Sequence, residues 1–189
     1  MEATAFLARH GATAWNKEQR LQGSKDIPLA ESGIKQAHVL AEELSGLSIN
    51  RIVTSNLQRA YQTADIIGKR LGVAVEKEKG FNERSYGKLE GRIWPEVKKE
   101  LELSHESLET YAEPFSDFSS RVIDTFSNVL MSHENQRILI VCHGGVLRIL
   151  LEHLRKTPSL SGNIGYELPN ASAYVFTRKK DQWIEKTLK

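Results

Sequence analysis

The sequence predicts an α/β fold, a three-layer α/β/α sandwich around a mainly parallel sheet, in one domain. Three observations carry that expectation. Short apolar runs suited to buried strands, Ala3 to Ala8, Arg51 to Ser55 and Arg137 to Cys142, are separated by longer stretches with apolar residues at helical spacing. Strands alternating with helices imply crossover connections and helices on both faces of the sheet. At 189 residues, 40% hydrophobic and 26% charged, the chain is large enough for one substantial core and has an ordinary globular composition.

Taken in order, the first strand stops at Arg9-His10-Gly11, and Thr13 is placed to start a new element. Trp15 to Pro28 lacks periodicity and reads as a long loop with room for one short helical turn. From Glu31, the residues Ile34, Ala37, Leu40, Ala41 and Leu44 form a helical stripe ending near Gly46. The strand from Arg51 leads into Ser55-Asn56-Leu57-Gln58, a capping-box pattern expected to place the Ser55 hydroxyl on a helix start. Leu57, Ala60, Ala64, Ile67 and Leu71 make the buried face of that helix, and Gly72 closes it.

Val73 to Val75 is expected as a short strand. Phe81 to about Phe115 is the least regular interval, with one helix predicted from Pro95 to Leu103; residues 84–115 are expected to form a lid-like insertion over the strand ends. Ser116 to Met131 is helical, with Phe118, Val122 and Phe126 on one side. The strand Arg137 to Cys142 and a helix from Val146 to Leu154 follow, then a loop through Pro158, Gly162 and Gly165. Ser172 to Arg178 and Gln182 to Lys189 are the last strands, the second at an edge.

A net charge of +2 gives no argument for nucleic-acid binding, because basic and acidic residues are nearly balanced, and none is expected. No apolar run has the length of a membrane span, and the single cysteine, Cys142, suits a buried side chain in a reducing compartment, so the expected location is cytoplasmic. The informative feature is a repetition. Two predicted strands each end in a histidine beside glycine, Arg9-His10-Gly11 and His143-Gly144-Gly145, at the strand ends where open α/β sheets keep their ligand sites. Two imidazoles with nearby arginines suit an anion, and phosphate is the first candidate.

These blocks, with Trp15-Asn16, Arg20-Leu21-Gln22-Gly23, Asp26-Ile27-Pro28-Leu29, Ser55 to Ala60, Gln62-Thr63-Ala64 and Glu83, resemble the histidine phosphatase superfamily, also called the phosphoglycerate mutase-like family. The resemblance runs from Phe6 to about Ala173 with the blocks in the family's order. It implies the phosphoglycerate mutase-like fold and a phosphohistidine intermediate on His10, whose free imidazole nitrogen attacks phosphorus while the other donates to a fixed acceptor. It further implies Arg9, Asn16 and Arg59 as phosphate ligands, His143 as a stabiliser of the phosphoryl group, and Glu83 as the acid that protonates the leaving oxygen and then acts as base toward water. Glu83 is selected over Glu76, Glu78 and Glu90 by its spacing from Gly87 and Glu90-Gly91. Gln22, Gly23 and Asn170 match positions near the substrate beyond the phosphate.

No set of Asp, Glu, His and Cys has metal-ligand spacing, so no metal or other cofactor is expected. The expected partner is a small phosphorylated metabolite. Three departures from the family pattern stand out: Ala12 where Glu or Gln is frequent, Ala30 where a capping Thr is usual, and Leu89 for a common Trp. The family holds phosphatases, cofactor-dependent mutases and members without catalysis. Its mutases have longer chains with a longer, basic insertion, whereas acids are interspersed with the basic residues here, so the expected activity is hydrolysis of small phosphomonoesters. A phosphoglycerate mutase and a non-catalytic phosphate-ligand binding protein are the alternatives.

Overall fold

The computed structural model describes residues 3–132, 136–156, 168–180 and 182–188. Six strands, β1 (Thr4–Arg9), β2 (Arg51–Thr54), β3 (Val75–Lys77), β4 (Arg137–Cys142), β5 (Ala173–Lys179) and β6 (Gln182–Lys186), form one sheet in the order β3-β2-β4-β1-β5-β6. The first four are mutually parallel; β5 runs antiparallel to β1, and β6 antiparallel to β5 at the edge. The six α-helices described are α1 (Ala14–Lys17), α2 (Glu31–Glu43), α3 (Gln58–Leu71), α4 (Trp94–Ser104), α5 (Phe115–Ser132) and α6 (Gly144–Arg155).

Strand side chains alternate between faces, and both faces of the central strands are apolar, as a sheet between two helical layers requires. Ala5, Leu7, Ile138, Ile140 and Cys142 pack against Phe118, Val122 and Phe126 of α5 and Val146, Leu147, Leu150 and Leu154 of α6. Phe6, Ala8, Ile52, Leu139 and Val141 pack against Leu40, Ala41 and Leu44 of the α2 layer and Ala60, Ala64 and Ile67 of α3. These two layers are the sandwich expected from the sequence. The loop through Pro158, Gly162 and Gly165 lies outside the described residues.

Two local expectations are corrected. Val73 does not begin a strand: its N–H donates to the Gly68 carbonyl and finishes α3, so pairing with β2 starts at Val75 opposite Ile52. Nor does Ser55 cap α3. It still continues β2, its N–H donating to the Val141 carbonyl, and lies too early to reach the first helical amides. The helix has Leu57 at its N-cap, and Asp26 caps it from the long loop, accepting from the Gln58 N–H (2.6 Å) and side-chain amide (2.9 Å). Gly72 does close α3, in the left-handed region at φ 68 where a side chain would be strained. Ala30 leaves α2 without a side-chain cap, as its substitution suggests.

Residues 84–115 hold α4 and a small cluster of Leu89, Val97 and Leu101, against which Leu21 packs from the first long loop. Backbone bonds tie the two segments: Leu21 N–H to Arg92, Gly91 N–H to Leu21 and Trp94 N–H to Gln19. Buried Arg84 fastens the far end by donating from Nε to the Glu113 carbonyl (2.7 Å) and by pairing with Glu109. Among the described residues, no helix is long and apolar enough to cross a membrane.

Candidate active site

Strand register brings the two histidines together. β1 and β4 pair in parallel from Thr4 opposite Arg137 to Arg9 opposite Cys142, so His10 and His143, the next residues of each chain segment, leave the sheet side by side. Their ring centroids lie 5.2 Å apart, tilted by 60°. β2 pairs with β4 up to Thr54 opposite Val141, which delivers Ser55 to the other side of His143. Three adjacent carboxyl ends therefore supply Ser55, His143 and His10 in a row.

His10 is buried, and its Nδ1 lies 2.7 Å from the Gly11 carbonyl oxygen. A carbonyl only accepts, so Nδ1 carries the proton and Nε2 holds the lone pair. The Gly11 peptide is itself fixed: its N–H donates to Thr63 Oγ1 (3.0 Å), whose hydroxyl donates to the Arg59 carbonyl (2.8 Å) on α3. Burial, then the charges of Arg59 and Arg9, hold His10 well below its ordinary value of 6.5. Burial and Arg59 do the same to His143, and the neighbouring His10 adds to it. Both imidazoles are neutral at neutral pH, and His10 presents an unprotonated Nε2.

Arg59 is buried on α3, with 1% of its surface exposed. Its Nη1 donates to the Lys25 carbonyl and Nη2 to the Gly23 carbonyl (both 2.7 Å), while Nε points at His143 Nδ1 (3.2 Å). Three of a guanidinium's five N–H groups are thus committed to shaping the site, leaving one hydrogen on each Nη for an anion. Burial, the largest influence, brings Arg59 down to about 10, so it remains cationic. Arg9, at the end of β1, donates to the Leu168 carbonyl, and its guanidinium lies beside Gly144.

Glu83 reaches the start of α6. Its Oε2 accepts from the Gly145 N–H (3.0 Å) and Oε1 from the Arg84 N–H (3.0 Å). Gly145 permits this approach, because a Cβ there would overlap Glu83 Oε1. Positive helix-terminus amides thereby fix the carboxylate next to the histidine that begins α6.

Asn16 and Asn170 meet at the His10 backbone: Asn170 Nδ2 donates to the His10 carbonyl (3.1 Å) and lies 3.4 Å from Asn16 Oδ1, which also accepts from the Thr13 N–H (3.0 Å). With Oδ1 engaged in the Thr13 capping box, Asn16 can offer an anion only its amide Nδ2. Gln22 Oε1 is buried and accepts from no group among the described residues. Gly23 joins the site through its carbonyl, held by Arg59. The structure therefore brings His10, His143, Arg9, Arg59, Asn16 and Asn170 together, with Glu83 at the α6 terminus and the Gln22-Gly23 loop on the Arg59 side.

Sequence reasoning missed several residues that build this arrangement. Ser55 was expected as a cap and instead contacts His143 Nε2 at 2.7 Å. Asn82 accepts from Ser55, and Thr63 anchors the Gly11 peptide. Glu90, read above only as spacing, accepts from the Ser24 N–H (2.8 Å) and Tyr86 N–H (3.0 Å), locking the Gln22-Gly23 loop onto the insertion. The available signal was position: a polar residue just past a buried parallel strand faces the same cleft as its neighbours. Among the described residues, no group of three His, Cys, Asp or Glu side chains converges as a metal site would require.

Comparison with known proteins identifies the family and supports the fold. A family model described as histidine phosphatase superfamily (branch 1) matches residues 5–189. A Bacillus subtilis protein named uncharacterized phosphatase PhoE is 34% identical over 148 residues, 78% of this chain and 75% of the relative. An Arabidopsis thaliana protein named metal-independent phosphoserine phosphatase is 34% identical over 189 residues, 94% of this chain and 77% of the relative. A solved mycobacterial glucosyl-3-phosphoglycerate phosphatase, complexed with VO3, superposes with a TM-score of 0.84 at 25% identity, covering 97% of each chain. With the blocks in family order, the strand ends in register and relatives named as phosphatases, this chain belongs to branch 1 of the histidine phosphatase superfamily.

Proposed function

We propose that the protein is a metal-independent phosphatase of small phosphomonoesters that acts through a phosphohistidine on His10. The observation carrying this reading is the His10 tautomer: Nδ1–H is spent on the Gly11 carbonyl, and Nε2 keeps its lone pair under the charges of Arg59 and Arg9. The substrate's phosphoryl group is held by Arg9, the remaining Arg59 hydrogens and the Asn16 amide, whose positive charge offsets the charge of the transferring group. His10 Nε2 attacks phosphorus, a P–N bond forms and the P–O ester bond breaks. The leaving oxygen keeps the bonding pair and takes a proton from Glu83. Water then attacks the phosphohistidine, gives its proton to the Glu83 carboxylate, and the P–N pair returns to Nε2 as phosphate leaves.

The relatives named for phosphoserine and glucosyl-3-phosphoglycerate set the panel of esters to test, together with 3-phosphoglycerate. Phosphate release is measured with EDTA present for the wild type and His10→Ala. The expected result is release that survives EDTA and falls by at least about 10³-fold in the variant. Release abolished by EDTA, or retained by His10→Ala, would overturn the proposal. Interconversion of phosphoglycerates after priming with a bisphosphate, without free phosphate, would replace it with the mutase reading.

A further inference from the structure

His143 belongs to a chain of polar groups of which the reaction above uses only Arg59. Arg59 Nε to His143 Nδ1 is 3.2 Å, His143 Nε2 to Ser55 Oγ is 2.7 Å, and Ser55 Oγ to Asn82 Oδ1 is 2.9 Å. Each member's direction is forced by its neighbours. Arg59 Nε can only donate, so His143 Nδ1 holds a lone pair, and in the neutral imidazole Nε2 carries the proton. That proton goes to Ser55 Oγ, which also accepts from the Leu57 N–H (3.2 Å). With both acceptor positions of the hydroxyl filled, its own proton points to Asn82 Oδ1. The Asn56 N–H, donating to the same oxygen at 2.9 Å, fixes which way the Asn82 amide is turned.

We infer that Ser55 and Asn82 are positioning residues that lock His143 in its Nε2–H tautomer, so that Nδ1 keeps its lone pair on the Nε–H of Arg59, the phosphate ligand. The consequence lies in the next step. With Nδ1 accepting from the Arg59 Nε–H, the guanidinium rests on three fixed acceptors, His143, Lys25 and Gly23, and its two remaining Nη hydrogens stay available to the phosphoryl oxygens as the anion arrives. Nothing in the relay has to turn as charge develops, the condition under which fixed dipoles stabilise a transition state most effectively. The role resembles that of the carboxylate in a catalytic triad, with a neutral acceptor in its place. A neutral acceptor suits a histidine that stays uncharged beside a buried arginine.

This inference rests on the phosphatase reading for its kinetic test, but not for its spectroscopic one. Nitrogen NMR of 15N-histidine-labelled protein reports the His143 tautomer without turnover, with inorganic phosphate as the probe. The wild type is expected to show a single Nε2–H tautomer when free, and to keep it on titration with phosphate. Ser55→Ala should give mixed tautomers, with kcat lowered by about 10- to 100-fold and KM changed by less than about threefold, the scale of losing a second partner of a functional histidine. Asn82→Leu keeps Ser55 but frees its proton, and a smaller fall in kcat with the same loosening is expected; it serves as the reading if Ser55→Ala does not fold. A His143 found as Nδ1–H in the wild type would overturn the inference. So would two folded variants with the wild-type tautomer and kcat. If the wild type hydrolyses no ester, the phosphatase reading fails on that result, and the spectra decide the relay by the same criteria.

Discussion

Acidifying the medium from pH 8 to 5.5 should destabilise this protein by an amount set by two residues. His10 and His143 are held well below their ordinary value of 6.5 by burial and arginine charge, so the folded chain stays unprotonated at both positions through this range. The unfolded chain takes up a proton at each as the pH drops below 6.5. The unfolded state then binds more protons than the folded one, and stability rises with pH, or falls on acidification. At one unit below the unfolded value, each histidine accounts for about 1.4 kcal/mol, so the pair gives about 3 kcal/mol. Glu42 and Glu100, held below 4.5 by Arg70 and Arg92, lose their partners only at lower pH and leave this window clear. Urea unfolding at constant ionic strength is the assay. With a denaturant slope of about 2 kcal/mol per molar, the midpoint should drop by about 1.5 M between pH 8 and 5.5. His10→Gln and His143→Gln should each remove about half of the dependence, and the double variant most of it. A midpoint that does not move, or that rises on acidification, would refute the assignment of two neutral buried imidazoles.

Two substitutions test the surroundings. Gly145→Ala would place a methyl against Glu83 Oε1 while leaving the helix amide in place, so kcat should fall by about 10²-fold, the usual share of a general acid, with the circular dichroism spectrum retained. An unchanged kcat would remove Glu83 from the acid role. Ala30→Ser offers a hydroxyl to the uncapped start of α2, where the backbone is already extended (φ −75, ψ 166), and should stabilise the fold by about 0.5 to 1 kcal/mol. A thermal midpoint raised by roughly 1 to 4 °C is the expected reading, and a lowered one would count against the cap.

Composition and order in the chain were enough to determine the class of this protein. The apolar runs at Ala3 to Ala8 and Arg137 to Cys142 can only be buried strands, because so short a stretch with polar residues on both sides satisfies its backbone best in the middle of a sheet. A histidine and glycine directly after such a run stand at the sheet's carboxyl edge, which is why His143, and His10 with Arg9 before it, were legible as strand-end residues without coordinates, whereas Arg59 came from the family resemblance. Helical stripes likewise reveal which face of α3 or α6 is buried, since the period of 3.6 is written into the residue order.

Tertiary structure decided everything that depends on which strand lies beside which. That β4 sits between β2 and β1, in a register placing Ser55, His143 and His10 in one row, follows from pairings between segments up to 133 residues apart. No local pattern encodes that separation. The same holds for Asp26 capping α3 across 32 residues, and for Glu83 at the α6 amide across 62. Ser55 shows why the capping-box reading failed there: a hydroxyl three residues before a glutamine satisfies the local rule for a helix start, but the neighbouring strand offered it a buried imidazole first. A polar side chain inside a fold bonds to whatever the packing delivers within about 3 Å, and the sequence alone carries no record of that neighbour.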